Sequence, residues 1–139
     1  MFISETQVRV RYAETDAMHV VYHGCYAQYF EVGRAEAIRN LGYTYKEMEE
    51  EGIVMPVVEW TARFIRPAVY DDLLSVRTLL KSLPTDHSIT FHHEVRNEKD
   101  KLLTEGTVTL FFLNASTREK MQLPRKLHEK LSRFFEEKG

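Results

Sequence analysis

A single cysteine, Cys25, stands in 139 residues. A lone thiol excludes an internal disulfide and any zinc or iron–sulfur site built from several cysteines. The six glycines are scattered, and no dinucleotide-binding or P-loop spacing occurs among them. An excess of one charge is missing too. Lys and Arg total 19 against 21 Asp and Glu, a formal net charge of −2, without the basic surplus of a general nucleic-acid binder. No run approaches the roughly 20 apolar residues of a membrane span. The start, Met1-Phe2-Ile3-Ser4-Glu5, lacks the basic and then apolar stretches of a secretory leader. These absences predict a soluble cytoplasmic protein with no nucleic-acid partner and no membrane span.

What is present is an ordinary globular balance, 43% hydrophobic and 29% charged residues, in a length that fits one domain over 1–139. Residues 8–12 alternate apolar with charged and read as a strand. Residues 13–17 lose that alternation and read as a loop. From 24 to 41 the period changes: Tyr26, Tyr29, Phe30, Gly33, Ala37 and Leu41 recur at steps of three and four, with Glu31, Arg34 and Arg39 mainly on another face. This predicts a long helix that Gly42 ends, its small residues Gly33 and Ala37 allowing a sheet to approach closely. Thr44-Tyr45-Lys46-Glu47 matches a capping box and starts a short helix over 45–51. Strands follow at 54–65, 73–83, 87–96 and 102–113, the last two joined by the polar turn Asn97-Glu98-Lys99-Asp100. Pro124 opens a terminal helix with the stripe Leu127, Leu131, Phe134, Phe135. One long helix facing a mostly antiparallel sheet is an α+β arrangement.

The reactive residue types gather in residues 11–26. Asp16, His19, His23, Cys25, Tyr12, Tyr22 and Tyr26 fall within one strand end, one loop and one helix start. A helix start offers free amides and a positive dipole end, suited to an anion or a developing oxyanion. Three chemistries fit. Asp16 serves as a carboxylate base or nucleophile beside those amides; Asp16, His19 and His23 ligate a metal; or Cys25 with His23 forms a thiol nucleophile pair. His92-His93 cannot chelate one ion together, because neighbours on a strand point to opposite faces.

Arg11-Tyr12, Glu14-Thr15-Asp16, Val20-Val21-Tyr22-His23 and Tyr26, followed by Tyr29-Phe30-Glu31 and Arg34, resemble the signature of the 4-hydroxybenzoyl-CoA thioesterase family. The closer likeness is to its YbgC-like acyl-CoA thioesterase branch, and it continues through Arg66-Pro67-Ala68, Asp71-Asp72, Lys120-Met121 and Leu123-Pro124. The resemblance implies a hotdog fold, a long central helix wrapped by a curved, mainly antiparallel five-stranded sheet. It implies hydrolysis of an acyl-CoA or acyl-carrier-protein thioester with neither metal nor cofactor beyond the substrate's own CoA. Asp16 would match the catalytic aspartate, with His23 and Tyr12 implicated beside it.

Tyr22, Gly24 and Tyr26 would line the substrate site. Arg66 and Lys120, with Arg63, Lys81, Arg118 and Arg125 as further candidates, would meet the CoA phosphates. A non-catalytic hotdog binding partner is the alternative class. The family's habit of pairing implies a homodimer or homotetramer with sites between chains. His19 stands where the family usually has glycine, and Cys25 where a polar residue is common. A histidine in a glycine's backbone conformation would reshape the pocket entrance.

Overall fold

The computed structural model describes residues 1–136. Five strands form one antiparallel sheet in the order β1-β4-β5-β6-β3. Their ranges are β1 Phe2–Arg9, β3 Val57–Phe64, β4 Leu73–Leu80, β5 Ser88–Arg96 and β6 Leu102–Phe111. Helix α1, Cys25–Asn40, lies against the inner face of this sheet. Helix α2, Tyr45–Glu50, leads into a small ribbon of β2 Ile53–Val54 paired with β7 Leu113–Asn114. Helix α3, Arg125–Ser132, closes the chain with Leu127 and Leu131 buried. The arrangement is the helix-wrapped sheet that the resemblance implies.

The ends of α1 follow from its sequence. Gly42 adopts φ +85°, its amide donates to the Arg39 carbonyl and the Tyr43 amide donates to the Ile38 carbonyl. That pair of reversed bonds is a Schellman stop, which needs a left-handed residue and so favours glycine. The predicted inward stripe holds: Tyr26, Tyr29, Phe30, Ala37 and Leu41 are all buried. Gly33 faces β4 so closely that an added Cβ would lie 2.6 Å from Thr78 Oγ1 and 2.7 Å from Val76 Cγ1. Thr78 is held in turn by His93 at 3.0 Å and cannot retreat freely. Gly33→Ala is therefore expected to destabilise the fold by about 1–2 kcal/mol despite alanine's higher helix propensity. Urea unfolding measures this, and a variant as stable as the parent would refute the tight contact.

Four expectations need correction. The strand expected at 8–12 runs instead from Phe2 to Arg9, and Tyr12 lies in the 3-10 turn Tyr12–Glu14. The stretches expected as single strands at 54–65 and 102–113 are each broken. Pro56, which has no amide to donate, separates β2 from β3, and Phe112 steps out between β6 and β7. Phe134 and Phe135 lie past the end of α3 but still pack against the core. Arg34, assigned to the outer side of α1, is buried.

Candidate active site

The chain between β1 and α1 folds back on itself through a Thr15–Val21 bridge. Glu14 anchors this segment. Its carboxylate accepts from the Arg11 amide at 2.8 Å, from the Arg11 guanidinium at 3.1 and 3.2 Å, and from the Tyr29 hydroxyl at 2.9 Å. Burial pushes the Glu14 carboxyl up, yet those bonds outweigh it and hold it below the usual carboxylate range. Burial and the Glu14 carboxylate together push the Tyr29 phenol up, so it stays a donor. The Glu14 carbonyl also accepts from the Tyr22 amide at 2.8 Å. Glu14 thus ties the turn to α1. The spacing Arg11-x-x-Glu14, shaped like a capping box, is the signal that marks it.

Asp16 sits at the head of a four-residue turn. Its Oδ1 accepts from the Met18 amide at 2.8 Å, and its carbonyl accepts from the His19 amide at 2.9 Å. Oδ2 accepts no hydrogen bond from the described residues. The turn requires φ +63° at His19. The glycine-like backbone is therefore kept while the residue is a histidine, and the side chain is exposed to solvent.

His23 and Gly24 immediately precede α1, with Gly24 at the N-cap. No side chain caps this end and no acidic residue occupies its first turn. An uncapped start leaves amides and a positive dipole end for an incoming anion. The Tyr22 ring covers this corner, 4.2 Å from the His23 ring and 2.9 Å from where a Cβ on Gly24 would stand.

Asp16, His23, Tyr26, Phe64 and Arg66 converge on one cavity of about 310 Å³. Val20, Val21, Ile65 and Pro67 complete its wall. Arg66 is steadied by a 3.0 Å bond from its guanidinium to the Leu102 carbonyl. The remaining candidates lie elsewhere. Tyr12 is largely exposed and packs edge-on against Tyr70 at 5.6 Å, and Lys120 stands over the Phe111 ring at 4.8 Å. Neither lines the Asp16 cavity. The brought-together set is Asp16, His23, Tyr26 and Arg66, with Tyr22 and Gly24 at its edge.

This geometry separates the three chemistries. Burial and the Glu14 charge push the Cys25 thiol up, the reverse of what a reactive thiolate needs. Its Sγ points at the Glu14 carbonyl, 3.7 Å away. Among the described residues no three His, Cys, Asp or Glu side chains gather as a metal would require, so Asp16, His19 and His23 do not form a ligand set within the chain. Asp16, with its free carboxylate oxygen, and His23, just before the uncapped helix start, line one cavity.

The chain is similar to known proteins over most of its length. Residues 10–131 match the model of the thioesterase-like superfamily. The putative acyl-CoA thioesterase YneP of Bacillus subtilis is 40% identical over 107 residues, 77% of each chain. The acyl-CoA thioester hydrolase YbgC of Escherichia coli is 29% identical over 120 residues, 86% of this chain and 89% of the relative. The crystal structure of a DHNA-CoA thioesterase from Staphylococcus aureus superposes with a TM-score of 0.91 at 34% identity. That superposition covers 97% of this chain and 92% of the other.

Proposed function

The chain belongs to the thioesterase-like superfamily, and from that premise we propose that Asp16 and the amides opening α1 are the catalytic centre of an acyl-CoA thioesterase. The observation that carries the assignment is that Asp16, whose Oδ2 accepts no hydrogen bond from the described residues, lines the same cavity as His23 just before the uncapped start of α1. The reaction takes R–CO–S–CoA and water to the carboxylic acid and free CoA thiol. The thioester carbonyl oxygen turns toward the His23 and Gly24 amides, where developing negative charge is stabilised. Asp16 supplies the electron pair, either to the carbonyl carbon or to a water that attacks it. In the first case the C–S bond breaks to leave an acyl-aspartyl anhydride, which water hydrolyses to the acid and free Asp16, with the water's proton passing to the CoA thiolate. In the second, the proton that Asp16 takes from the attacking water passes to the thiolate as the C–S bond breaks. His23 lines the path of the attacking water, and Arg66 offers a guanidinium to the CoA phosphates at the cavity mouth.

The acyl group follows the groove between α1 and β3. There Phe64 faces His23 and Tyr26 at 6.3 and 5.5 Å, and Trp60 faces Phe30 at 6.4 Å. Thiol release from acyl-CoAs, with Asp16→Asn beside the parent, tests the reading; full activity after chelator treatment bears on the metal-free chemistry. Parallel assays with acyl-carrier-protein thioesters decide the carrier. The reading carries a cytoplasmic setting with it, and no helix among the described residues is long and apolar enough to cross a membrane.

Two copies also suit this reading. β3 is an edge strand, and Val57, Val58, Trp60 and Phe64 are 42–51% exposed along it. A long apolar edge left bare invites pairing with another strand. Pairing of two β3 strands would cover it and roof the acyl groove. Light scattering at micromolar concentration is expected to give a multiple of 16.4 kDa. Val58→Lys should move that mass toward the single chain by placing charge along the paired edge. A parent protein that runs as a monomer rejects the pairing.

A further inference from the structure

Two ties hold the Asp16 turn to the start of α1. The first is backbone. Tyr22, one residue before His23, donates its amide to the Glu14 carbonyl at 2.8 Å, and the Asp16 amide donates to the Val20 carbonyl at 2.9 Å. With the Thr15–Val21 bridge between them, these bonds make residues 14–16 and 20–22 a short two-stranded clip. The second tie is a side chain. The Tyr29 hydroxyl, in the second turn of α1, donates to Glu14 Oε1 at 2.9 Å.

The side-chain tie is the one that reaches between elements without building either of them. Of the four bonds to the Glu14 carboxylate, three come from Arg11 inside the same turn. Among the described residues Tyr29 is the one donor to it from another element. Without the phenol oxygen the turn would keep its internal bonds and be free to shift against the helix. Tyr29 is not free to follow such a shift: it is 3% exposed, and its ring meets the Tyr26 ring edge-on at 5.5 Å. Tyr26 in turn lines the Asp16 cavity. A hydrogen bond to a buried, ionised carboxylate is among the stronger kinds and is directional. This one lies two residues from Asp16 on one side and little more than one helical turn from the Gly24 N-cap on the other.

We infer that the Tyr29–Glu14 hydrogen bond sets the position of the Asp16 carboxylate relative to the amides that open α1, which makes Tyr29 and Glu14 positioning residues of the hydrolysis. The inference rests on the thioesterase reading, in which Asp16 acts at a carbonyl carbon while the amides hold its oxygen. Both groups must therefore fit the two ends of one C=O bond. A reacting group displaced by about 1 Å can lose about a hundredfold in rate. A tie that contributes modestly to folding can thus govern kcat.

Tyr29→Phe tests this, because it keeps the buried ring and removes only the donor oxygen. Assayed well below its thermal midpoint, where the molecules are folded, it should lose about tenfold or more in kcat with KM within about twofold of the parent. A merely structural contribution would lower the midpoint and leave kcat per folded molecule unchanged. The second arm places the same substitution in Asp16→Asn, assayed at high enzyme concentration. There the amides act without the carboxylate, so Tyr29→Phe should change the residual rate by less than about twofold. Should Tyr29→Phe fail to fold, Glu14→Gln enters the same four-way comparison, since it keeps an oxygen for the phenol and weakens the bond by removing its charge. Parental kcat in the folded variant, or an equal loss in both backgrounds, overturns the inference and leaves the thioesterase reading standing. An Asp16→Asn protein as active as the parent overturns that reading, and the positioning role with it.

Discussion

Asp16→Asn is expected to lower kcat for thiol release by about a thousandfold or more while leaving thermal stability nearly unchanged. The separation of the two effects follows from the geometry. The structural duty of Asp16 is carried by Oδ1, which accepts from the Met18 amide at 2.8 Å. An asparagine carbonyl can accept that same bond, so the turn and the fold keep their support. The chemical duty falls on Oδ2, which accepts no bond from the described residues, in a residue that lines the cavity with His23. Replacing it with an amide removes both the nucleophile and the base, each worth orders of magnitude. The amides at the start of α1 remain, so a residual rate above that of water should persist. Turnover within a few-fold of the parent would remove Asp16 from the chemistry. Loss of activity together with loss of stability would instead assign it to the turn.

How much of this was legible beforehand varies by element, for physical reasons. Helix α1 was readable because one face is continuously buried and Gly42 supplies the left-handed stop. The start of β1 was not. Its inward positions include Ser4, buried but polar and bonded from the Asn40 amide at 2.8 Å, so the apolar period of two is interrupted. The alternation through Tyr12 misleads in the opposite direction. After Arg9 the backbone pairs with the Asp71–Asp72 turn, and Arg11 then caps a 3-10 turn.

Arg34 was misplaced because periodicity assumes one solvent-facing side, whereas α2 and the β2–β7 ribbon cover a second side of α1. Asp16, His23 and Tyr26 were legible as a set because the loop is short and leads directly into the helix. Phe64 and Arg66 join them from β3 and its exit, forty residues on, a closeness that only the sheet register creates. Lys120 shows the converse. It is part of the resemblance, but in the single chain it pairs with Leu113 of β7 and does not line the Asp16 cavity.

The second large effect is acid lability centred on His93. The residue points inward from β5, 1% exposed, with its ring stacked on Phe30 at 4.7 Å and 12°. Nδ1 lies 3.0 Å from Thr78 Oγ1, and Nε2 has no partner. Burial first, then the Arg34 and His92 charges, push its pKa down from 6.5 to about 3. The folded protein therefore refuses a proton that the unfolded chain accepts. Above pH 6.5 both states are neutral and His93 imposes no penalty. As pH falls below 6.5 the unfolded state gains a proton the native state lacks, and stability drops by up to about 1.4 kcal/mol per pH unit. The decline continues toward pH 3, and by pH 5 it reaches about 2 kcal/mol. His92, also lowered by burial and the Lys81 charge, adds to the same slope. Urea unfolding from pH 7 to 4 should show this slope, and His93→Gln should flatten it by about one proton even if its stability at pH 7 is lower. An unchanged slope in that variant would place the acid sensitivity elsewhere.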